Sequence, residues 1–331
     1  MNLEKFNLEN DIYFVPDYGA LYLKCNEAIF EFAYNEGENR IYTYSIKRKI
    51  NNIGSVVLQD EYYDLETPYG YGGFLINTED RDFITRAFKK YQTKCLNENI
   101  IAEFTRFHVF NNSAVILKKY YDFYCFDRNV TYVDLEITKD QRWRNYSSTT
   151  RNILRKCQKE LTFNRTFNIA YFIELYYKTM SKNQADDFYY FNSEYFENLI
   201  KLSGIELYEV RYNDIPISMS FFMFSKYFCH YHLSANDYRY CRFNSNYYLL
   251  DSIFEESRKR SKKYCILGGG RTDSNDDSLL KFKRKFSPLV KPFFIAGKVF
   301  NKSIYEKYIN LWESQNSSNI NFFLKYRLGV K

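Results

Sequence analysis

Between residues 140 and 299 the hydrophobic periodicity changes in a fixed order, and that order restricts the fold more than any other feature of the sequence. Helical spacing of apolar residues predicts helices over 140–159, 169–182 and 193–202. The pattern then becomes strand-like over 206–212, 215–224 and 227–234. Asn213-Asp214 separates the first two runs, a two-residue turn suited to an antiparallel hairpin. A long helix is expected over 245–262, then a strand over 264–267 and a break at Gly268-Gly-Gly-Arg271. A short helix over 278–286 and a strand over 292–299 complete the series. Hairpin-linked strands followed by helix-separated ones predict an α+β unit, a mixed central sheet flanked by helices.

The first part of the chain is a looser version of that order. Strands are expected at 11–15, 20–25, 29–34 and 41–47, followed by a turn-rich stretch over 64–73. Thr78-Glu-Asp opens a helix, with a hydroxyl as cap and acids in the first turn, where they suit the helix dipole. Ile84, Ala87, Phe88, Tyr91 and Cys95 form its apolar stripe. Further strands are expected at 100–107, 119–126 and 130–135. No Pro-, Gly- or Ser-rich linker divides the 331 residues. The expected domains are 1–137, completed by a returning tail over 302–331, and 138–301.

Composition excludes several classes. With 34 Tyr and 31 Phe there is ample apolar surface to bury, so a disordered chain is ruled out. Lys+Arg 47 less Asp+Glu 40 leaves +7, which admits an anionic substrate or membrane surface but is no nucleic-acid-binding tail. Seven cysteines, odd in number and without a C-x-x-C pair, read as reduced thiols. No apolar run nears the ~18 residues of a membrane span, and residues 1–7 do not read as a secretory leader. The expected location is the cytoplasm, with peripheral contact at the inner face of the membrane left open.

Several clusters carry candidate chemistry. Tyr69, Gly70, Tyr71, Gly72 and Gly73 offer flat rings and a backbone that a ligand could approach closely. Strand alternation puts Arg106 and His108 on one face, a cation for phosphate beside an imidazole for general base. Asp64 and Glu66 share a strand face and are alternative bases. Gly268, Gly269 and Gly270 could form an anion nest of successive N–H groups, without the Gly-Lys-Ser/Thr of a P-loop. His230 and His232 face one way with no supporting acid, so no metal site is expected. Two basic runs, 151–159 and 258–263, read as solvated helix faces that could also meet anionic lipid or the acceptor end of a tRNA.

The order of elements over 140–299 resembles that of a GNAT acyltransferase core. Asp64-Leu-Glu-Thr-Pro-Tyr-Gly-Tyr-Gly-Gly73 and Glu103-Phe-Thr-Arg-Phe-His108 with Asn111-Asn112 come first. Cys265-Ile-Leu-Gly-Gly-Gly270, followed by Leu280-Lys-Phe-Lys-Arg-Lys-Phe286, comes later. Together they resemble the FemAB-like branch of tandem GNAT proteins, over about residues 10–300. That branch includes aminoacyltransferases of peptidoglycan bridges and acyltransferases of surface-polysaccharide loci. The resemblance implies two GNAT-like domains and transfer of an acyl or aminoacyl group to an amine of a cell-envelope precursor, sugar-nucleotide or lipid-linked. It implies that Phe282 and Lys283 lie beside the transferred group, with Lys283 facing the oxyanion. No tightly bound cofactor is expected. Donors of the acyl-CoA type normally require a Gly-containing pyrophosphate loop, and residues 237–246 contain no Gly. The donor is left open between aminoacyl-tRNA and acyl-CoA, and the oligomeric state is not specified. The competing expectation is a degenerate tandem GNAT protein that binds a glycan precursor or a partner enzyme.

Overall fold

In the computed structural model, residues 7–316 and 320–329 are described. Residues 1–6, on which much of the leader reading rests, lie outside them. The chain begins with helical turns, a 3-10 turn at Ile12–Phe14 and a short helix at Pro16–Ala20. Pro16 fixes φ near the helical value, and at the first helical position its missing N–H costs nothing. The strands expected at 11–15 and 20–25 are therefore absent.

The first strands are Glu27–Glu36 (β1) and Asn39–Lys49 (β2), paired antiparallel along nearly their whole length. Tyr63–Glu66 (β3) pairs antiparallel with β2. Arg81–Asn97 (α1) starts where the Asp80 carboxylate accepts the amides of Asp82 and Phe83. Thr78, the expected cap, instead accepts the Asp80 amide. Ile100–Arg106 (β4) runs parallel to β3. Phe123–Asp134 (β5) is one strand where two were expected. The helix expected over 140–159 is two, Lys139–Asn145 (α2) and Ser148–Glu160 (α3). Tyr146 at ψ 148° breaks the path, and the Ser147 hydroxyl caps α3 by accepting the Thr150 amide. Thr162–Thr166 (β6) was not expected, because its single apolar residue gives no alternation.

Then follow Ile169–Lys182 (α4), Ser193–Leu199 (α5), Ile205–Tyr212 (β7), Ile215–Phe224 (β8) and Phe228–Asn236 (β9). Asn213 and Asp214 have φ 45° and 63°, the left-handed pair a tight hairpin of this hand requires. Ser245–Lys259 (α6), Tyr264–Gly268 (β10), Ser278–Arg284 (α7), Val290–Val299 (β11) and Lys302–Glu313 (α8) complete the order.

Two compact units result. One holds the described residues of Met1–Glu9, Tyr13–Asp127 and Phe293–Lys331; the other holds Asn10–Ile12 and Arg128–Pro292. The boundaries fall at 127/128 and 292/293, against the expected 137/138 and 301/302, and lie inside β5 and β11. In the first unit the strands run β1-β2-β3-β4-β11, with β11 antiparallel to β4. Helix α1 packs Phe83, Ala87, Phe88 and Tyr91 against Phe30, Phe32, Leu65 and Phe74. Tyr308 and Trp312 of α8, with Leu324 and Tyr326 of the tail, form a second cluster on Ile50, Ile53, Ile101 and Phe104.

In the second unit the strands run β5-β10-β9-β8-β7-β6, with only the β9–β10 pair parallel. Strand β8 is central and buried on both faces. Phe222 joins Leu250, Ile253 and Phe254 of α6. Phe221, its neighbour and hence on the opposite face, meets Phe172 of α4 and Phe196 of α5.

Glu103 of β4 is buried with the Ser45, Tyr91 and Thr105 hydroxyls around it and no basic partner among the described residues. Burial raises its carboxyl to about 7, more than those hydroxyls offset. A carboxyl raised in the folded state stabilises fully at low pH, and that stability is lost as pH rises toward 7. Glu103→Gln removes this loss. In urea denaturation the variant should gain on the wild type by roughly 2 kcal/mol between pH 5 and pH 8, at about 1.4 kcal/mol per pKa unit. A difference that stays constant with pH would show that Glu103 does not titrate there.

Candidate functional site

The residues singled out in the sequence fall into two groups, one in each unit. In the first, Arg48 and Asp64 are cross-strand partners on β2 and β3. Arg48 Nε donates to Asp64 Oδ1 at 2.9 Å, and its Nη1 also donates to Glu66. Arg327 Nε reaches Asp64 Oδ2 at 2.7 Å, and Arg106 Nη2 reaches Glu66 Oε1 at 2.6 Å. Burial pushes both carboxyls up. The guanidinium groups of Arg48 and Arg327 at Asp64, and of Arg106 and Arg48 at Glu66, outweigh it and hold them below the usual range. Asp64 and Glu66 are thus locked carboxylates, not the poised bases expected from sequence. Arg106 is likewise committed to Glu66 and the Thr67 carbonyl, and does not present an open fork to phosphate.

The glycine loop after β3 packs on its own unit. Gly70 at φ 102° would place a Cβ 2.3 Å from the Tyr13 ring, and Gly73 at φ 94° one 2.7 Å from Phe107. Gly72 gives its carbonyl to the His108 amide at 3.0 Å. Tyr71 is buried, edge-on to Tyr13 and to His108. Only Tyr69 and Gly70 are partly exposed, so the loop is not the open five-residue cradle expected. His108 is also buried, among the rings of Tyr13, Phe14, Tyr71 and Phe110, and its Nδ1 accepts the Phe110 amide at 3.2 Å. That enclosure does not suit a base that must meet a substrate amine.

The second group is built at the end of β10. Gly268, at φ 82°, turns the chain out of the strand, and a Cβ there would meet Lys283 Nζ at 3.2 Å. Lys283 in α7 is 6% exposed and donates to the Gly269 carbonyl at 2.7 Å. Arg128 Nη1 donates to the carbonyls of Gly270 and Arg271 at 2.9 and 3.2 Å. The Asp277 carboxylate accepts the amides of Arg271 and Thr272 at 3.0 and 3.2 Å. The expected anion nest is therefore inverted: the turn offers carbonyl oxygens to cations, and amides beside it are taken by an acid. Phe282 packs edge-on against Tyr247 and Phe286, which fixes the helix that carries Lys283. Burial lowers the Lys283 amine to about 7, with Asp277 pulling it up and Arg128 pushing it down. Arg128 and Asp277 were missed from sequence. Asp277 stands just before Ser278 as the α7 cap, a legible signal, whereas nothing local marks Arg128.

The remaining motifs separate by partner. His230 Nε2 lies 2.8 Å from the Asp11 carboxylate, which also accepts from Ser225, and His232 Nε2 lies 2.9 Å from the Tyr195 hydroxyl. In the 258–263 run Arg258, Arg260 and Lys263 pair with Glu255, Glu206 and Glu136. By contrast Arg144, Arg155, Lys156 and Lys159 on α2 and α3 are exposed and make no ion pair with a described residue. The 237–246 loop forms a 3-10 helix, Tyr238–Phe243. Asp237 at its start is paired with Arg239 at 2.6 Å.

Each unit is built on a mixed sheet flanked by helices, the α+β arrangement expected from the order of elements. Residues 203–304 match the model of the FemAB family. A crystal structure of FemX superposes with a TM-score of 0.72 at 13% identity, over 92% of this chain and 95% of that one. The C-terminal domain of a putative lysylphosphatidylglycerol synthetase from Agrobacterium fabrum gives 0.54 at 14%, over 91% of each chain. L-PGS from Bacillus licheniformis gives 0.53 at 10%, over 86% and 88%. No curated protein sequence matches the chain. The chain is thus similar in sequence to the FemAB family over residues 203–304 and similar in fold to FemX.

As a structural carboxylate, Asp64 should cost roughly 3 kcal/mol of stability when changed to Asn, since its buried oxygens then no longer balance the partly buried guanidinium groups of Arg48 and Arg327. Turnover per folded molecule should stay within about threefold of wild type. A hundredfold loss in fully folded protein would restore Asp64 as a base.

Proposed function

We propose that the protein is an N-acyl- or N-aminoacyltransferase acting on an amine of a cell-envelope precursor. The observation that carries this is Lys283, a buried amine held at 2.7 Å from the Gly269 carbonyl, just past the end of strand β10. In the reaction the acceptor nitrogen bonds to the donor's carbonyl carbon. The bond to the donor's leaving oxygen or sulfur breaks, and the proton lost by the amine goes to that leaving group. Negative charge develops on the carbonyl oxygen in between. A cation fixed in a water-poor site before the reaction starts stabilises that charge without reorganisation. Phe282 and Phe286 supply the rigidity, and the absence of a side chain at Gly268, where a Cβ would lie 3.2 Å from Lys283 Nζ, makes room for the ammonium.

Aminoacyl-tRNA is the donor this reading favours. The α2–α3 face bears unneutralised Arg144, Arg155, Lys156 and Lys159, which suits a polyanion. The loop before α6 lacks glycine and carries a carboxylate, which does not suit a CoA pyrophosphate. One of the similar structures bears the name of a lysylphosphatidylglycerol synthetase, and the FemAB match covers Lys283.

Lys283→Met keeps the aliphatic stem and should lower kcat about a hundredfold, the roughly 2.7–4 kcal/mol typical of one lost oxyanion donor. KM for the acceptor should change little. Lys281→Met, whose ammonium pairs with exposed Asp276, is the matched control and should be silent. Near-wild-type turnover by Lys283→Met would remove Lys283 from the transfer step, whereas no turnover by the wild type with either donor would favour the binding-module reading.

The donor has its own test. Replacing Arg144, Arg155 and Lys156 together by Glu should weaken tRNA binding at least tenfold by fluorescence anisotropy at moderate salt, and flatten its salt dependence. Micromolar acetyl-CoA binding in calorimetry, with tRNA binding unchanged in the triple variant, would reverse the donor assignment.

A further inference from the structure

Nothing in the Lys283 side chain itself accounts for its depth in the second unit. A lysine stem is long and flexible, and its ammonium is normally free to reach water. Here the receiving group, the Gly269 carbonyl, sits in a turn of glycines with no intrinsic stiffness. That turn must be held from elsewhere, and Asp277 does so. Its Oδ2 accepts the amides of Arg271 and Thr272, while its Oδ1 accepts the Leu280 amide at 2.9 Å in the first turn of α7. One carboxylate thus joins the glycine turn to the helix that carries Lys283. Gly270 completes the joint, since a Cβ there would fall 2.6 Å from Asp277 Oδ1. Arg128 braces the far side through the Gly270 and Arg271 carbonyls.

We propose that Asp277 is a positioning residue for the transfer reaction: it clamps the turn at residues 268–272 to α7 and so keeps the Lys283 ammonium buried against the Gly269 carbonyl. The reaction role rests on the reading of Lys283 given above; the clamp itself does not. The charged groups facing Lys283 are Asp277 and Arg128. On its own helix, Lys281 is turned to Asp276 at 2.8 Å and Lys285 to the Tyr247 hydroxyl at 2.6 Å. Burial pushes the Asp277 carboxyl up, but the amides of Leu280, Arg271 and Thr272 outweigh this and keep it ionised well below neutrality.

Two variants break the clamp differently. Asp277→Asn turns one acceptor into an N–H donor facing the amides of Arg271 and Thr272 or that of Leu280. Gly270→Ala keeps the charge and displaces the turn sterically. The Lys283 amine can be followed without substrate by NMR of protein labelled with 13C at lysine Cε, with Lys283→Met identifying its resonance. If Asp277 clamps, the amine gains solvent in both variants and its titration midpoint rises by a unit or more from near neutrality toward that of free lysine. If Asp277 acted only through its charge, Asp277→Asn would lower the midpoint and Gly270→Ala would leave it in place. Either result overturns the proposal, and Gly270→Ala carries the test alone should Asp277→Asn not fold. In steady-state assays both variants should lose tenfold or more in kcat at unchanged acceptor KM, with the alkaline limb of the kcat profile moving up in step with the NMR midpoint. A midpoint that rises while the kcat profile stays put would uphold the clamp and count against Lys283 as the transfer group.

Discussion

The parallel pairing of β9 with β10 is the constraint on which the second unit depends. Hairpins cannot make a parallel neighbour, so the chain must cross over through α6 to bring Tyr264 beside Phe228. The paired stretch is short, from Phe228↔Tyr264 to His230↔Ile266. Past it, β10 ends at Gly268, whose left-handed backbone only glycine adopts without strain. The place where the central ladder stops is therefore where backbone carbonyls become available to side chains. Lys283 occupies one of them and Arg128 two more. The burial of β8 on both faces supplies the apolar mass that keeps this arrangement in place.

Buried acids in this protein differ in kind because their neighbours differ. Asp64 and Glu66 are surrounded by arginines and stay ionised, serving as ties among β2, β3, β4 and the tail. Glu103, one strand position away from the same charged network, has only hydroxyls and rises to about 7. Asp251 in the second unit accepts from Trp143 Nε1 and the Tyr146 hydroxyl, and burial leaves it raised despite Arg142 nearby. Desolvation acts on all of them; a guanidinium close enough to hydrogen-bond the carboxylate, as at Asp64 and Glu66 but not at Asp251, decides the outcome. A carboxylate in a strand is thus no guide to a general base until its partners are known.

The same rule separates the two basic helical runs. Residues 258–263 and the α2–α3 face look alike as strings of Lys and Arg. Acids from β7, α6 and the segment after β5 reach the first and neutralise much of it. None reaches Arg144, Arg155, Lys156 or Lys159 among the described residues. Unneutralised charge, and not the count of basic residues, is what makes a surface attractive to a polyanion.

Local periodicity by itself determined much of the second unit. Strand Ile215–Phe224 and helix Ile169–Lys182 were legible to both ends, and the GNAT order with them. It failed where a single residue redirects the backbone, as at Pro16 and Ser147, and where β6 carries too little apolar signal to show a period. The motifs also marked which residues lie near the glycine turn, Lys283 among them. What only the tertiary structure decided is what each polar group faces. Asp64 meets Arg327 across 263 positions of sequence, and Arg128 meets the Gly270 carbonyl across 142. No local pattern encodes such pairings. They set whether a carboxylate is a base or a tie and whether a glycine turn receives anions or cations, because side-chain ionisation depends on burial and on charges brought close only by folding.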